Sequence, residues 1–387
     1  MEIQQYIDRK KVIQSKILEF IDDESNAEED YQNFINSINN IEIEKNSDEL
    51  QSILYLISKI SNNHHRSSNF FSKIEKILLF LQNFIQINLS NSQIFSIFKS
   101  SKRILLFLIN EKIITVNSSI IDEMKNDRFK KRNYCQFFYP EIESFFQTDK
   151  KSIEKISSKN QDEFEKMRNI GENHSQICEL IRNDSIEEFI TFVNKNNYSL
   201  KSPIEKSIYE TNSFLLKNKT SLIEYSAFFG SLQILKYFHL NGIELTQSLW
   251  IYAVHGDNPE LIQYLIDNKI TPKDESYQEV INESIKCHHN EIVDYIYNNI
   301  LNSNYQSNYN NIVSIQSIKY YNYEFFPKEL KNEFCFYYFC KYDHIKLVKI
   351  LLNYSNLNIN KKIIFYQFFF KSCFRKRTNH ERNLIKI

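Results

Sequence analysis

Histidine and cysteine are the residues best able to do chemistry in this chain, and the tightest group of them is Cys287-His288-His289, with His255 and His344 as further candidates. A zinc ion takes four ligands in a fixed spacing, whereas these three are consecutive. Neighbouring residues of a helix or turn point in different directions, so the triplet is expected to form a turn between helices rather than a metal centre. His64-His65 sits in the polar connection Ser61 to Asn69 and is expected to be solvated loop. Cys335 and Cys340 read as small core residues of a helix, not as a redox pair. The four glycines, Gly171, Gly230, Gly242 and Gly256, are too far apart to wrap a phosphate, which excludes Walker and dinucleotide loops. Gly-x-Ser-x-Gly, His-Glu-x-x-His and the kinase signature set are all missing. No catalytic residue, no metal ligand and no cofactor is therefore assigned, and an enzyme is not expected.

Positioning such residues falls to helices. The chain has 387 residues with 31 Phe and 24 Tyr, but only 4 Gly and 5 Pro, too few turn residues for a sandwich or barrel. Acidic and basic residues balance at 48 each, so no overall field draws the protein to nucleic acid. Six scattered cysteines without a Cys-x-x-Cys pair suit a reducing compartment, and Met1 to Lys11 carries charges where a signal peptide would be apolar. A cytoplasmic location is expected.

One phrase recurs along the second half: a polar residue, two apolar residues, a polar residue, then an apolar pair. It appears as Ser185 to Ile190 (with Glu187 in the second apolar place), Gln233 to Phe238, Glu260 to Leu265, Glu291 to Ile296 and Lys346 to Leu351. Each copy puts its apolar residues on one helical face. Each follows a small or polar turn residue, Asp184, Gly230, Asp257, His288 or Asp343, with a shorter helix before the turn. In the wide gap between His288 and Asp343, Ser314 to Tyr321 reads as the first helix of a worn repeat, after a polar loop Asn302 to Asn311.

These phrases resemble the ankyrin repeat, a β-turn plus two helices of about 33 residues. Its Thr-Pro-Leu-His-x-Ala-Ala-x-x-Gly signature is best matched by Ser221-Leu222-Ile223-Glu224-Tyr225-Ser226-Ala227-Phe228-Phe229-Gly230, and next by Ser248 to Asp257, which keeps the Ser and Ala but lacks the Pro and His. Asn241-Gly242-Ile243-Glu244 resembles the connection between repeats. In dialect the copies resemble the ankyrin proteins expanded in trichomonad protists, which carry an ankyrin-like domain of unknown function.

The resemblance implies an all-α fold, an α-solenoid of helix-turn-helix repeats over residues 175–360, preceded by an N-terminal helical region 1–142 and a polar linker or exposed helix 143–174. An aromatic-basic tail follows at 361–387. It also implies an intracellular scaffold or adaptor that binds an unidentified protein. The alternative is a peripheral membrane or structural protein, since Lys361-Lys362 and Arg375-Lys376-Arg377 flank the aromatic run Ile363 to Phe370 and Cys373 offers a lipidation point. With no closing helix after Leu352 the array looks uncapped, which predicts self-association through its C-terminal end.

In the ankyrin register, the residues five before each turn face outward on the concave side: Glu179, Tyr225, Tyr252, Glu283 and Tyr338. Those two before each turn are Arg182, Phe228, His255, Lys286 and Lys341. This stripe is the expected protein-binding surface, because exposed aromatics interleaved with charge are typical interface anchors. On that reading, changing Tyr225, Tyr252 and Tyr338 to Ala leaves folding intact and abolishes partner binding.

Overall fold

The computed structural model describes residues 2–25, 27–39, 47–125, 133–145, 161–272, 276–301 and 306–353. The middle of the 143–174 stretch, the start of the Asn302 to Asn311 loop, and the aromatic-basic segment 361–377 lie outside the described residues. Among the described residues the protein is all-helical, with no strand and a single isolated bridge between Pro203 and Ser221. No described helix is long and apolar enough to cross a membrane.

The N-terminal half consists of α1 (Glu2–Asp22), α2 (Glu28–Asn39), α3 (Ser47–Asn63), α4 (Phe70–Asn88), α5 (Asn91–Phe98), α6 (Lys102–Asn110), α7 (Ser118–Met124), α8 (Tyr134–Phe137) and α9 (Tyr139–Ile142). A connecting helix, α10 (Gln161–Ile170), packs on α6. It buries Phe164 and Arg168, whose Nη1 donates to the Glu141 carboxylate at 2.8 Å and to the Phe137 carbonyl at 3.0 Å. This part of the expected linker is thus held in place by an ion pair and an aromatic contact, which its polar composition did not announce.

Helix pairs follow. The first helices are α11 (Gln176–Arg182), α13 (Leu222–Phe228), α15 (Leu249–Gly256), α17 (Gln278–Cys287), α19 (Gln306–Tyr320) and α20 (Glu333–Lys341). The second helices are α12 (Ile186–Lys195), α14 (Leu232–Leu240), α16 (Pro259–Asp267), α18 (Asn290–Tyr295), and α21 (Ile345–Leu352) after α20. The first helices stack on one another in chain order.

Each pair turns through a residue in the left-handed region. These are Asp184 (φ 47°), Gly230 (69°), Asp257 (46°), His288 (63°) and Asp343 (63°), the turn residues picked from the sequence, joined by Tyr321 (59°) after α19. At such a turn the next backbone N–H reaches back to the carbonyl five residues earlier. Ser231 bonds Ser226 at 2.8 Å, His289 bonds Ser284 at 3.1 Å and His344 bonds Phe339 at 2.9 Å, closing the helix ends. At Gly230 the glycine is also required sterically, because a Cβ there would lie 2.9 Å from the Gly256 carbonyl oxygen of the next repeat.

The residue after each turn then ties its repeat to the one before. Ser231 Oγ donates to the Ile181 carbonyl and Asn258 Nδ2 to Gly230 (2.8 Å). His289 Nδ1 bonds the Val254 carbonyl (2.6 Å), Asn322 Nδ2 that of Ile285 (3.1 Å) and His344 Nε2 that of Ile318 (2.7 Å). Ser231, His289, Asn322 and His344 are buried and Asn258 is half-buried, and the ladder gives carbonyls near the helix ends a side-chain partner from the next repeat. Cys335 and Cys340 are core residues of α20, as expected.

Apolar residues divide into two clusters, and the division cuts across the stack. Residues from Ile177 to Ile296 form one core, whereas Ile318 to Leu351 join the core of the N-terminal half. The reason is visible after Tyr321, where the second helix shrinks to the single turn Tyr323–Phe325. Helix α1 packs on that turn: Gln14 Nε2 donates to Asn322 Oδ1 (3.0 Å), and the Tyr323 N–H donates to Gln14 Oε1 (2.7 Å). Helices α1 and α3 also pack on α21, whose Leu347, Val348, Ile350 and Leu351 are buried. The end of the stack expected to be open is therefore covered by the chain's own N-terminal helices. His64, at the close of α3, is buried rather than solvated, because it meets the turn between α17 and α18.

Candidate interaction surface

Glu179, Tyr225, Tyr252, Glu283 and Tyr338 lie on α11, α13, α15, α17 and α20, with Arg182, Phe228, His255, Lys286 and Lys341 one helical turn further along. Polar links join neighbours in the stripe. Arg182 Nη1 donates to the Tyr225 hydroxyl at 3.0 Å, His255 Nε2 lies 2.7 Å from Glu283 Oε1, and Glu283 also pairs with Lys286. Burial alone would raise the Glu283 carboxyl, but the hydrogen bond from His255 and the Lys286 ammonium hold it down at about 2. Burial pushes the Tyr225 hydroxyl well above its ordinary range and His255 below its own.

The outward orientation expected for the stripe holds at its ends and fails in the middle. Glu179 and Lys341 are exposed, and Arg182, Glu283, Lys286 and Tyr338 are half-buried. Tyr225, Phe228, Tyr252 and His255 are buried, each at 6% exposure or less. The cause is the long connection between α12 and α13, which folds back over the stacked helices. Its Phe214 ring lies 5.9 Å from Phe228, 5.0 Å from Tyr252 and 4.5 Å from His255, with Lys286 Nζ 5.3 Å from its centre. That connection is anchored from the other side by Asn62 Nδ2 to Ser213 Oγ (3.1 Å) and Thr211 N–H to the Gly171 carbonyl (3.0 Å). The register also skips a repeat before Tyr338. Helix α19 intervenes, so its Gln316 and Lys319 occupy the equivalent places five and two before Tyr321.

Beside Phe214 the surface opens into a cleft of about 1220 Å³. One wall is the connection Gly242 to Ser248, the other Lys269 to Pro272, and the floor comes from Ile223, Trp250 and Tyr252. The walls are fixed in place. Ser221 and Glu224 form a reciprocal cap at the start of α13, Ser248 Oγ donates to Glu224 Oε1 (2.8 Å), and Trp250 Nε1 donates to the Ile270 carbonyl (2.7 Å). Glu244, Thr246, Gln247, Lys269 and Thr271 stand exposed on the rim. Sequence reasoning missed these residues because connections have no helical period. The available signal was the Asn241-Gly242-Ile243-Glu244 phrase, read only as a connection.

No family model, curated protein or solved structure matches this chain.

Proposed function

We propose that the stacked pairs are a divergent ankyrin array and that the protein is an intracellular adaptor, binding an extended segment of another polypeptide in the cleft between the connections of successive repeats. The supporting observation is the shape and lining of that cleft, which runs across two connections, with a largely apolar floor of Ile223, Trp250 and Tyr252 and a rim of Glu244, Glu279, Lys201 and Lys269. Such a surface offers a bound chain apolar contact at the centre and hydrogen-bonding groups and both signs of charge at the edge, the usual arrangement of a protein-recognition patch. The left-handed turns and the side-chain ladder between repeats support the ankyrin reading. The reading involves no catalytic step and no cofactor. The stripe selected from sequence enters it only through Tyr252 and the cover that Phe214 places on it.

The test is a paired charge reversal on the rim, Glu244→Lys with Lys269→Glu. Both side chains are exposed, so stability should change by less than about 0.5 kcal/mol. Polypeptides recovered with the unaltered chain by proximity labelling in its own cell should be lost with the variant and kept with Leu240→Ser, which alters an exposed residue of α14. An unchanged set of recovered polypeptides would remove the cleft from the reading.

A further inference from the structure

Three histidines from two distant stretches of the sequence converge where the N-terminal half meets the stack. His64 and His65 follow the end of α3, and His289 follows the left-handed His288. Asp22, at the end of α1, and Asp257, in the preceding turn, approach the same point. His289 Nδ1 lies 2.6 Å from the Val254 carbonyl oxygen, and His64 Nδ1 lies 2.7 Å from that of Cys287. A carbonyl only accepts, so both Nδ1 atoms carry a proton and both Nε2 atoms turn toward the cluster. This is how protein carbonyls orient the imidazoles of metal sites. His289 Nε2 is 3.3 Å from His65 Nδ1, and Asp257 Oδ2 is 3.6 Å from the same His65 nitrogen. Asp22 Oδ1 is 2.8 Å from His64 Nε2 and 3.7 Å from His65 Nε2. One nitrogen from each of the three rings lies within 4.8 Å of the others.

We propose that His64, His65 and His289, with a carboxylate of Asp22 or Asp257 in the fourth place, bind one divalent transition-metal ion, zinc in preference. Bonds of about 2.0–2.1 Å from tetrahedral zinc to nitrogen put neighbouring ligand atoms about 3.3 Å apart, the separation found between His65 and His289. Imidazole and carboxylate donors together suit zinc better than the hard, all-oxygen ions. The ligands come from both parts of the chain, so the ion clasps the N-terminal half onto the stack.

A second group, His255, Glu283 and Cys287, also brings its ligand atoms within 4.8 Å of one another. There Glu283 already holds the Lys286 ammonium, which repels a cation, and Cys287 is a fully buried thiol. Cys287 and His289, two positions apart, belong to different groups.

The experiment uses the full chain, stripped with a chelator and titrated with zinc chloride under calorimetry, with the melting temperature read before and after. Stoichiometric uptake and a raised melting temperature are expected. His65→Asn alters the most exposed of the three histidines and should weaken uptake by at least about 100-fold, the upper end of what losing even an outer-shell partner costs. His239→Asn, on the far helix α14, should leave uptake unchanged. Cobalt(II) added to the unaltered chain should give the bands of a four-coordinate ion without thiolate-to-cobalt charge transfer, a reading that stays decisive should a variant fail to fold. No stoichiometric uptake, uptake indifferent to His65→Asn, or a thiolate band removed by Cys287→Ser would each overturn the proposal.

Discussion

Replacing Asn322 by alanine should unfold the protein more readily than its small size suggests. The side chain is fully buried and its amide is used at both ends. Nδ2 donates to the Ile285 carbonyl at 3.1 Å and to Asn290 Oδ1 at 2.8 Å, while Oδ1 accepts from Gln14 Nε2 at 3.0 Å and from the Glu324 N–H at 3.3 Å. One amide thus joins α17, α18, the turn that replaces a second helix, and α1 from more than 300 residues away. Alanine leaves the Ile285 carbonyl and the Gln14 amide buried without these partners. The Ile285 carbonyl keeps the His288 N–H at 3.3 Å, so the orphaned group is the Gln14 amide and the loss should be about 1–3 kcal/mol. Urea unfolding followed by circular dichroism measures it, with the slope compared to confirm that the same surface is exposed. A double-mutant cycle sharpens the assay: Gln14→Ala should cost less once Asn322→Ala is present, because their shared contact is already gone and only the Tyr323 N–H to Gln14 bond remains to be lost. A loss below about 0.5 kcal/mol, or strictly additive effects of the two changes, would refute the assigned network.

Tyr225→Ala removes a ring buried at 1% exposure and should cost about 3–5 kcal/mol in chemical denaturation, so the triple tyrosine variant conceived as a binding test is expected to destabilise the fold. The buried pair Lys10–Glu49, 2.6 Å apart with both side chains at 1% exposure or less, should lose about 3–5 kcal/mol on Lys10→Met alone and recover most of it on Lys10→Met with Glu49→Leu; equal losses in the single and double variants would contradict that. His344 is buried, and burial pushes it down to about 4 from an ordinary value of 6.5. Its contribution is therefore complete above pH 6.5 and is lost as pH falls from 6.5 through about 4. His344→Asn, which keeps a donor for the Ile318 carbonyl, should flatten the stability–pH curve over that window by up to about 3 kcal/mol, whereas parallel curves for the two proteins would refute the assignment.

How much of this was legible in the sequence follows from what is local. A 3.6-residue period and a small or polar residue after it identified the left-handed turns at Asp184, Gly230, Asp257, His288 and Asp343, because helix and turn are decided within a dozen residues. The turn at Tyr321 escaped notice, since an aromatic residue rarely occupies that conformation and the helix after it is reduced to one turn. The stripe from Glu179 to Lys341 was placed on the correct helices, yet its exposure was misjudged in the middle. Nothing periodic marks the connection that carries Phe214 onto it. His64 looked like solvated loop for the same reason: its partner, the Cys287 carbonyl, lies 223 residues away, and no local pattern records such a contact.

The central claim, that the cleft beside Phe214 receives an extended polypeptide, is tested most directly by photo-crosslinking from a single position. A photoreactive residue at Gln247, exposed on the cleft rim, and one at Leu240, 84% exposed on α14, are introduced separately into the full chain in its own cell. The account predicts a discrete crosslinked polypeptide from Gln247 that is lost on Glu244→Lys with Lys269→Glu, and none from Leu240. Equal crosslinking from both positions, or a Gln247 product indifferent to the rim reversal, would contradict it.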